Sequence, residues 1–269
     1  METERQVQPV LTVTELAIRR GNRSLLEGVS FSVAQGEIFS IIGASGCGKS
    51  SLLRILLGLD LPASGTVRLC GVDPAKLLRQ GGVAVPHSYG VLFQEGALWT
   101  SMSLLENVSL PIRNYHREFS DEEITDLAIF KLALVGLGGF ENFYPNQISG
   151  GMARRAAIAR AIALDPPVLF LDEPSAGLDP VTARQLDELI LQLRSCHGTA
   201  VVLITHDLSS IRRISDRAAF LDQESRSLLE IAPPAEMAER SPHRPVRDFF
   251  GDRLGNWPKK KAILQRVTP

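Results

Sequence analysis

Residues 10–18 alternate apolar and polar positions in the period-two manner of a half-buried strand, and residues 29–33 do so again. Arg20-Gly21-Asn22 reads as a turn after the first run, and Gln35-Gly36 breaks the second. Residues 38–42 form a short apolar run ending in a glycine cluster. Residues 51–57 read as a buried helix stopped by Gly58, and residues 66–69 as a further strand closed by Gly71. Helical signals dominate between 95 and 164. Ser120-Asp121-Glu122-Glu123 is a helix start, a capping hydroxyl followed by acids on the positive end of the helix dipole. That helix should run to about 135 and stop at Gly136. A second should span 152–164, ended by Pro166-Pro167. The uncharged runs at 168–171 and 200–204 suit strands buried on both faces of a parallel sheet, with an amphipathic helix over 180–194 between them. Strands alternating with helices predict an α/β fold with a mainly parallel sheet.

Composition narrows the class of function. Thirty acids stand against 29 Lys and Arg in 269 residues, a formal net charge of −1. No bulk basic field is present to hold nucleic acid or a membrane surface. The longest charge-free stretch, 80–94, falls short of the ~18 apolar residues a membrane span needs. The opening METERQVQPV lacks the apolar core of a signal peptide, so a cytoplasmic chain is expected. Cys47, Cys70 and Cys196 are odd in number and widely spaced, and read as free thiols.

The chemistry is carried by three motifs. Gly43-Ala44-Ser45-Gly46-Cys47-Gly48-Lys49-Ser50 fits the P-loop pattern G-x-x-x-x-G-K-[ST], with an expected strand before it and a helix after it. Glycines let successive N–H groups turn inward onto phosphate oxygens, and the helix N-terminus adds donors and partial positive charge. Gly43, Ser45, Gly46, Cys47, Gly48, Lys49, Ser50 and Ser51 are the candidate nucleotide contacts. Lys49 would reach the β- and γ-phosphates and Ser50 would ligate Mg²⁺. The second motif, Val168-Leu169-Phe170-Leu171-Asp172-Glu173, delivers two acids at the end of an apolar strand. Asp172 would hold Mg²⁺ and Glu173 would take a proton from the attacking water. Alone, the two acids could equally cap the turn that Pro174 begins. The third motif, Ser149-Gly150-Gly151 at a helix start, is a second phosphate cradle. It could meet the same nucleotide within one molecule or face one held by a partner, and as a bare pattern it is usually structural.

In order, the P-loop, Gln94, Ser149-Gly150-Gly151, Asp172-Glu173, Asp179 and His206 resemble the nucleotide-binding subunit of ATP-binding-cassette (ABC) transporters, over about residues 10–232. The resemblance implies a P-loop NTPase cassette: an α/β core with a mainly parallel sheet, an N-terminal antiparallel β subdomain and an inserted helical subdomain. Residues 1–94 and 165–232 would form the RecA-like ATP-binding core with the β subdomain, 95–164 the helical signature subdomain, and 233–269 a C-terminal extension. It implies an ATPase working as a homodimer that sandwiches two MgATP head to tail. Ser149, Gly150 and Gly151 would contact the γ-phosphate of the ATP on the other subunit. Gln94 would join the Mg²⁺ shell and sense the membrane partner, Asp179 would sit at the dimer seam, and His206 would support the γ-phosphate and attacking water. Taken singly, Gln94 reads more readily as a solvated glutamine, His206 as a structural histidine and Asp179 as a helix cap. The chain departs from the pattern in three places. Arg19-Arg20-Gly21 stands where an adenine-stacking aromatic is usual, and Arg20 is either a stacking guanidinium or a solvated turn residue. Met152 replaces the common glutamine. Cys47 lies inside the P-loop, where Lys49 should lower its pKa; it is a tolerated small residue or a redox switch.

The run Phe93-Gln94-Glu95-Gly96-Ala97-Leu98-Trp99-Thr100-Ser101-Met102-Ser103-Leu104-Leu105-Glu106-Asn107-Val108 narrows the resemblance. With Ser149-Gly150-Gly151-Met152-Ala153-Arg154-Arg155 and Val246-Arg247-Asp248-Phe249-Phe250-Gly251, it is similar to the Mce/Mla-type lipid-transport ATPases. That similarity implies phospholipid transport between the inner and outer membranes for outer-membrane lipid asymmetry. The place would be the cytoplasmic face of the bacterial inner membrane. The partners would be integral membrane permease subunits and small accessory cytoplasmic and periplasmic lipid-binding subunits, with no nucleic acid. Residues 97–105 carry Leu98, Trp99, Met102, Leu104 and Leu105 beside Gln94, a docking site for an amphipathic helix. Leu104 and Leu105 read better as core, which leaves Trp99 and Met102. Lys259-Lys260-Lys261 in the tail could lie on anionic headgroups, though three charges are few and a solvated tail fits better. Two alternatives remain: an importer of amino acids or ions, and a soluble ABC ATPase acting on DNA or ribosomes. The second lacks the coiled coil, second cassette or basic excess it would need.

Overall fold

The computed structural model describes residues 9–80, 87–94 and 96–251. The expectations for Glu95, for residues 81–86 of the charge-free stretch and for the tail with Lys259-Lys260-Lys261 lie outside the described residues.

The alternating N-terminal segments become β1 (Leu11–Arg20) and β2 (Arg23–Val33), which pair antiparallel, and β4 (Ser64–Leu69) joins the free edge of β1 in the order β2-β1-β4. β2 begins six residues before the expected run. Its first turn continues the hairpin, with Ser24 opposite Arg19 and Leu26 opposite Ile18. The apolar runs build the other sheet. β3 (Ile38–Gly43), β5 (Gly90–Leu92), β6 (Val168–Asp172), β7 (Ala200–Ile204), β8 (Arg217–Asp222) and β9 (Ser227–Ala232) lie in the order β5-β6-β7-β3-β8-β9. All neighbours are parallel except β8 and β9. Every residue of β3, β6 and β7 is buried, which is why these strands read as unbroken rather than alternating apolar runs. Val168 and Phe170 face the β subdomain, and Leu169 and Leu171 face a second core packed by helices.

Helices α1 (Lys49–Leu56), α4 (Asp121–Leu134), α5 (Gly150–Ala161) and α6 (Pro180–His197) fall on the segments that periodicity marks. Ser120 accepts from the Glu123 amide at 3.2 Å, and the Glu123 carboxylate accepts from the Ser120 amide at 2.7 Å, closing a reciprocal cap. Periodicity marks neither α2 (Pro74–Arg79) nor α3 (Leu104–Tyr115), nor α7 (Leu208–Ile214), α8 (Pro234–Arg240) and α9 (Arg244–Gly251). α3 carries Pro111 in its interior, which breaks the pattern, yet Ser103 and Glu106 give it the same reciprocal cap. Val246 and Phe250 of α9 are fully buried with Phe220 and Met237, so residues 246–251 are packed structure. Among the described residues no helix is long and apolar enough to cross a membrane.

α4 is tied to the strand that bears the acidic pair. Lys131 on α4 is 1% exposed, and its ammonium lies 2.5 Å from Asp165, in the loop entering β6. Asp165 is half exposed and adopts a positive φ of 47°. Removing one partner of such a pair strands a charge, whereas an apolar replacement of the buried one does not. Asp165→Gly suits that φ and leaves Lys131 without its counter-charge; it should cost about 3–5 kcal/mol. Lys131→Met leaves only a solvated carboxylate and should stay within about 1 kcal/mol of wild type. Urea unfolding decides this, and equal losses for the two variants would contradict it.

Candidate nucleotide site

The parallel register brings four segments to one edge of the sheet. Leu92 pairs with Leu171, Asp172 with Ile204, and Ile204 with Ile41, just before β3 ends at Gly43. In sheet order the chain therefore leaves the carboxyl edge as Phe93-Gln94, Glu173, Thr205-His206 and the 43–50 loop. This is where open α/β sheets place ligands.

The 43–50 loop depends on glycine at specific points. A Cβ on Gly43 (φ 146°) would sit 2.2 Å from the Leu221 carbonyl oxygen, and one on Gly48 (φ 103°) would press on Leu26 at 3.2 Å. Gly48 also serves as the N-cap of α1 without a side-chain hydrogen bond, so the first N–H groups of α1 stay available to a ligand. Lys49 donates to the carbonyls of Gly43 at 2.8 Å and Ala44 at 3.0 Å. Ser45, Gly46 and Ser50 are exposed, and Ser51 is half-buried behind them. Arg20, Gly46, Gly48, Lys49, Ser50 and Ser51 border a cleft of about 390 Å³, with Arg23 and Gln223 on its rim. Arg20 is thus at the cleft rather than on a remote turn. Cys47 corrects an expectation. Burial pushes its thiol pKa up, and this outweighs the lowering by Lys49, whose ammonium is 3.8 Å from the sulfur. At 1% exposure Cys47 is a core side chain.

Asp172 is buried at the end of β6. Burial, and then the neighbouring Glu173 charge, raise its pKa, while Lys49 opposes them. Glu173 has φ 48°, a strained value for a residue with a Cβ. Its amide donates to the Ile204 carbonyl at 2.8 Å. One carboxylate oxygen lies 2.8 Å from His206 Nδ1, and the other accepts from the Thr205 hydroxyl at 3.3 Å. Its side chain is 13% exposed, against 68% for His206. Thr205 has no counterpart in the sequence motifs; a hydroxyl preceding His206 is the only signal it leaves.

Gln94 is exposed, and the backbone after it is held from α5. Arg160 donates to the carbonyls of Ala97 at 2.7 Å and Gly96 at 3.1 Å, and Arg154 donates to that of Phe93 at 3.3 Å. Burial lowers the Arg160 pKa. Downstream, fully buried Asn107 accepts from the Trp99 amide at 2.8 Å and donates to the Trp99, Met102 and Ser103 carbonyls. The loop is rigidly seated, with Trp99 57% exposed, Met102 half-buried and Leu104 in the core. The sequence contains both arginines but not their targets, which are backbone carbonyls more than 60 residues away, whereas Asn107 bonds backbone within eight residues of itself.

Ser149 caps α5, its hydroxyl accepting from the Met152 amide at 3.2 Å, and Ser149 and Gly150 are exposed. Met152 packs into the helical core, which accounts for an apolar residue there. A Cβ on Gly151 would lie 2.5 Å from the Thr182 methyl, so this tip rests directly on the start of α6. Asp179 caps α6 by accepting from the amides of Val181 at 2.9 Å and Thr182 at 3.1 Å. The Thr182 hydroxyl is the main cause of its lowered pKa.

The donors at the carboxyl edge are hydroxyl, carboxylate and amide oxygens, the set a hard cation such as Mg²⁺ takes. Among the described residues no group of three or more His, Cys, Asp or Glu could hold a metal by itself. Mg²⁺ binds through one or two protein oxygens plus substrate phosphates.

Fold and site together define a P-loop ATP-binding cassette. Residues 26–176 match the ABC transporter family, and the chain belongs to that family. It is 35% identical to the intermembrane phospholipid transport system ATP-binding protein MlaF of Escherichia coli K12, over 92% of this chain and 90% of that protein. It is 37% identical to the probable ribonucleotide transport ATP-binding protein mkl of Mycobacterium tuberculosis, over 87% of this chain but 65% of that longer protein. Among solved structures it is similar to the dimeric ATP-binding cassette MJ0796 bound to ADP and Pi. That match has a TM-score of 0.72 and 31% identity, over 83% of this chain and 98% of that one. It is also similar to cbiO1 of Clostridium perfringens, part of the transporter complex cbiONQ. There the TM-score is 0.76 and the identity 25%, over 91% and 96% of the two chains.

Proposed function

We propose that this chain is the ATP-hydrolysing subunit of a phospholipid transporter, attached through permease subunits to the cytoplasmic face of a bacterial inner membrane. The observation that carries the ATPase reading is Glu173, strained and pinned by His206 and Thr205, on the same sheet edge as the 43–50 loop. Lys49 and the N–H groups of 44–50 hold the phosphates of ATP. Arg20, at the edge of the same cleft, stacks on the base. Ser50, Asp172 and Gln94 would hold Mg²⁺, which when bound would draw charge off the transferred phosphate. Glu173 takes the proton of the attacking water, and His206 holds Glu173 and the phosphate. The Ser149-Gly150-Gly151 tip, with Ser149 and Gly150 exposed and Asp179 nearby, meets the nucleotide of a second copy. The dimeric MJ0796 cassette supports that arrangement.

The phospholipid cargo rests on similarity to MlaF along nearly the whole of both chains. The seated loop at 96–103, with Trp99 exposed, supports docking of a membrane partner next to Gln94. Purification of the tagged full-length chain from mild-detergent membranes should recover an integral membrane protein with bound phospholipid. Trp99→Ala should lower that recovery several-fold while leaving the ATP affinity of the isolated chain unchanged. Recovery of no membrane protein would sink the transporter reading. A membrane partner without phospholipid would favour an amino-acid or ion importer.

A further inference from the structure

Between α6 and α7 lies a buried polar network that the nucleotide reading does not use. Asp187, in the middle of α6, is 2% exposed. It accepts from Arg213 Nη1 at 2.6 Å and from the Ser210 hydroxyl at 3.1 Å, both on α7. The Ser210 hydroxyl, itself 3% exposed, is also 3.1 Å from a carboxylate oxygen of Asp207. Its single proton is thus shared by two carboxylates, one on each side of the α6–α7 contact. The other Asp207 oxygen caps the Ser209 amide at 2.9 Å, and the Asp207 amide donates to the Thr205 hydroxyl oxygen at 3.0 Å. That hydroxyl donates in turn to Glu173. An unbroken hydrogen-bonded path therefore runs from α6 through Ser210, Asp207 and Thr205 to Glu173. α6 is the helix that Asp179 begins and Gly151 touches.

Two packed helices do not need a carboxylate between them. Apolar residues of similar volume usually serve stability as well or better, because a buried charge loses its hydration. Such a group earns its place when it selects one arrangement over others that apolar packing would tolerate. Here the arrangement concerns the short segment from Thr205 to Ser209, which leaves β7 and carries His206. Leu208, Ile211 and Ile214 bury the apolar side of α7, while the hydrogen bonds of Asp207 and Ser210 add direction at its first turn.

We infer that Asp187 and Ser210 are positioning residues. Through Asp207 and Thr205 they set Glu173 and His206, and they make that setting depend on the placement of α6. This rests on the proposed role of Glu173 as proton acceptor. Neither residue touches the nucleotide cleft; each acts through the next. A shift of the N-terminus of α6, where the partner's nucleotide is proposed to bind, reaches the catalytic carboxylate by this path.

The test is Ser210→Ala in the full-length chain, which removes one hydroxyl and leaves Asp187 with Arg213 and Asp207 with its cap. Its kcat for ATP should fall about 10-fold through misplacement of Glu173, with KM within two-fold of wild type. In a Thr205→Ala background the same change should cost less than two-fold, because the path is already cut. An unchanged kcat, or losses that multiply in the double variant, would overturn the inference. Hydrogen exchange without nucleotide supplies a reading independent of hydrolysis. Amides 205–209 should exchange faster in Ser210→Ala while those of β7 do not change, and unaltered exchange at 205–209 overturns the path whatever the kinetics. A wild-type chain lacking hydrolysis that depends on Lys49 would sink the ATPase reading, and the exchange measurement would still decide the path.

Discussion

Glu173→Gln should bind MgATP as wild type does and hydrolyse it about 10²- to 10⁴-fold more slowly, the range a positioned general base contributes. The replacement is isosteric. Its amide can still meet Thr205 and His206, and the amide N–H at 173 keeps its bond to Ile204, so the strained backbone keeps its support. What is lost is the ability to take a proton. In the proposed cycle ATP favours the closed pair of subunits and hydrolysis releases it, so the variant should elute as a stable dimer in ATP and as a monomer without it. Gel filtration with and without nucleotide, alongside a phosphate-release assay, reads both consequences. Hydrolysis within two-fold of wild type would remove Glu173 from the role.

Lys49→Ala should weaken ATP binding by about 10- to 100-fold, the loss expected for a hydrogen bond to a charged group, with melting temperature nearly unchanged. The lysine holds two loop carbonyls, that of Ala44 exposed, where water can replace it, and that of Gly43 partly buried. The loop's shape comes instead from Gly43 against Leu221 and Gly48 against Leu26, which the substitution leaves alone. Fluorescent-nucleotide titration and a thermal melt together separate lost affinity from lost fold. Undiminished affinity would refute the phosphate-binding assignment.

Some of this molecule was open to reading from residue order and some was not. The strands at 38–43, 168–172 and 200–204 announce themselves because burial on both faces forbids polar residues, and that constraint is local to each strand. The cap at Ser120 is local too, two hydrogen bonds within four residues. β9 is harder to read because none of its residues is buried and it is held by its ladder to β8, and α7 because its seven residues are too few for a periodic pattern to stand out. The thiol of Cys47 misled for another reason: adjacency to Lys49 is visible in the sequence, whereas the burial that outweighs it is not.

The sequence by itself determined the chemistry available: a loop that only glycines can form, a lysine at its end, two acids closing an apolar run, and a serine-glycine-glycine helix start. It also determined the α/β class, through the alternation of strand and helix patterns. Only the tertiary structure decided that Gln94, Glu173, His206 and the 43–50 loop share one edge. Their order in space follows the order β5-β6-β7-β3, not the order of the chain. It alone decided that Arg154 and Arg160 hold the backbone beside Gln94, and that Asp187 meets Ser210 and Arg213 on α7. The reason is physical. Hydrogen bonds to backbone carbonyls and between buried side chains depend on distances set by packing, and a guanidinium or carboxylate in the sequence does not name the partner it will meet.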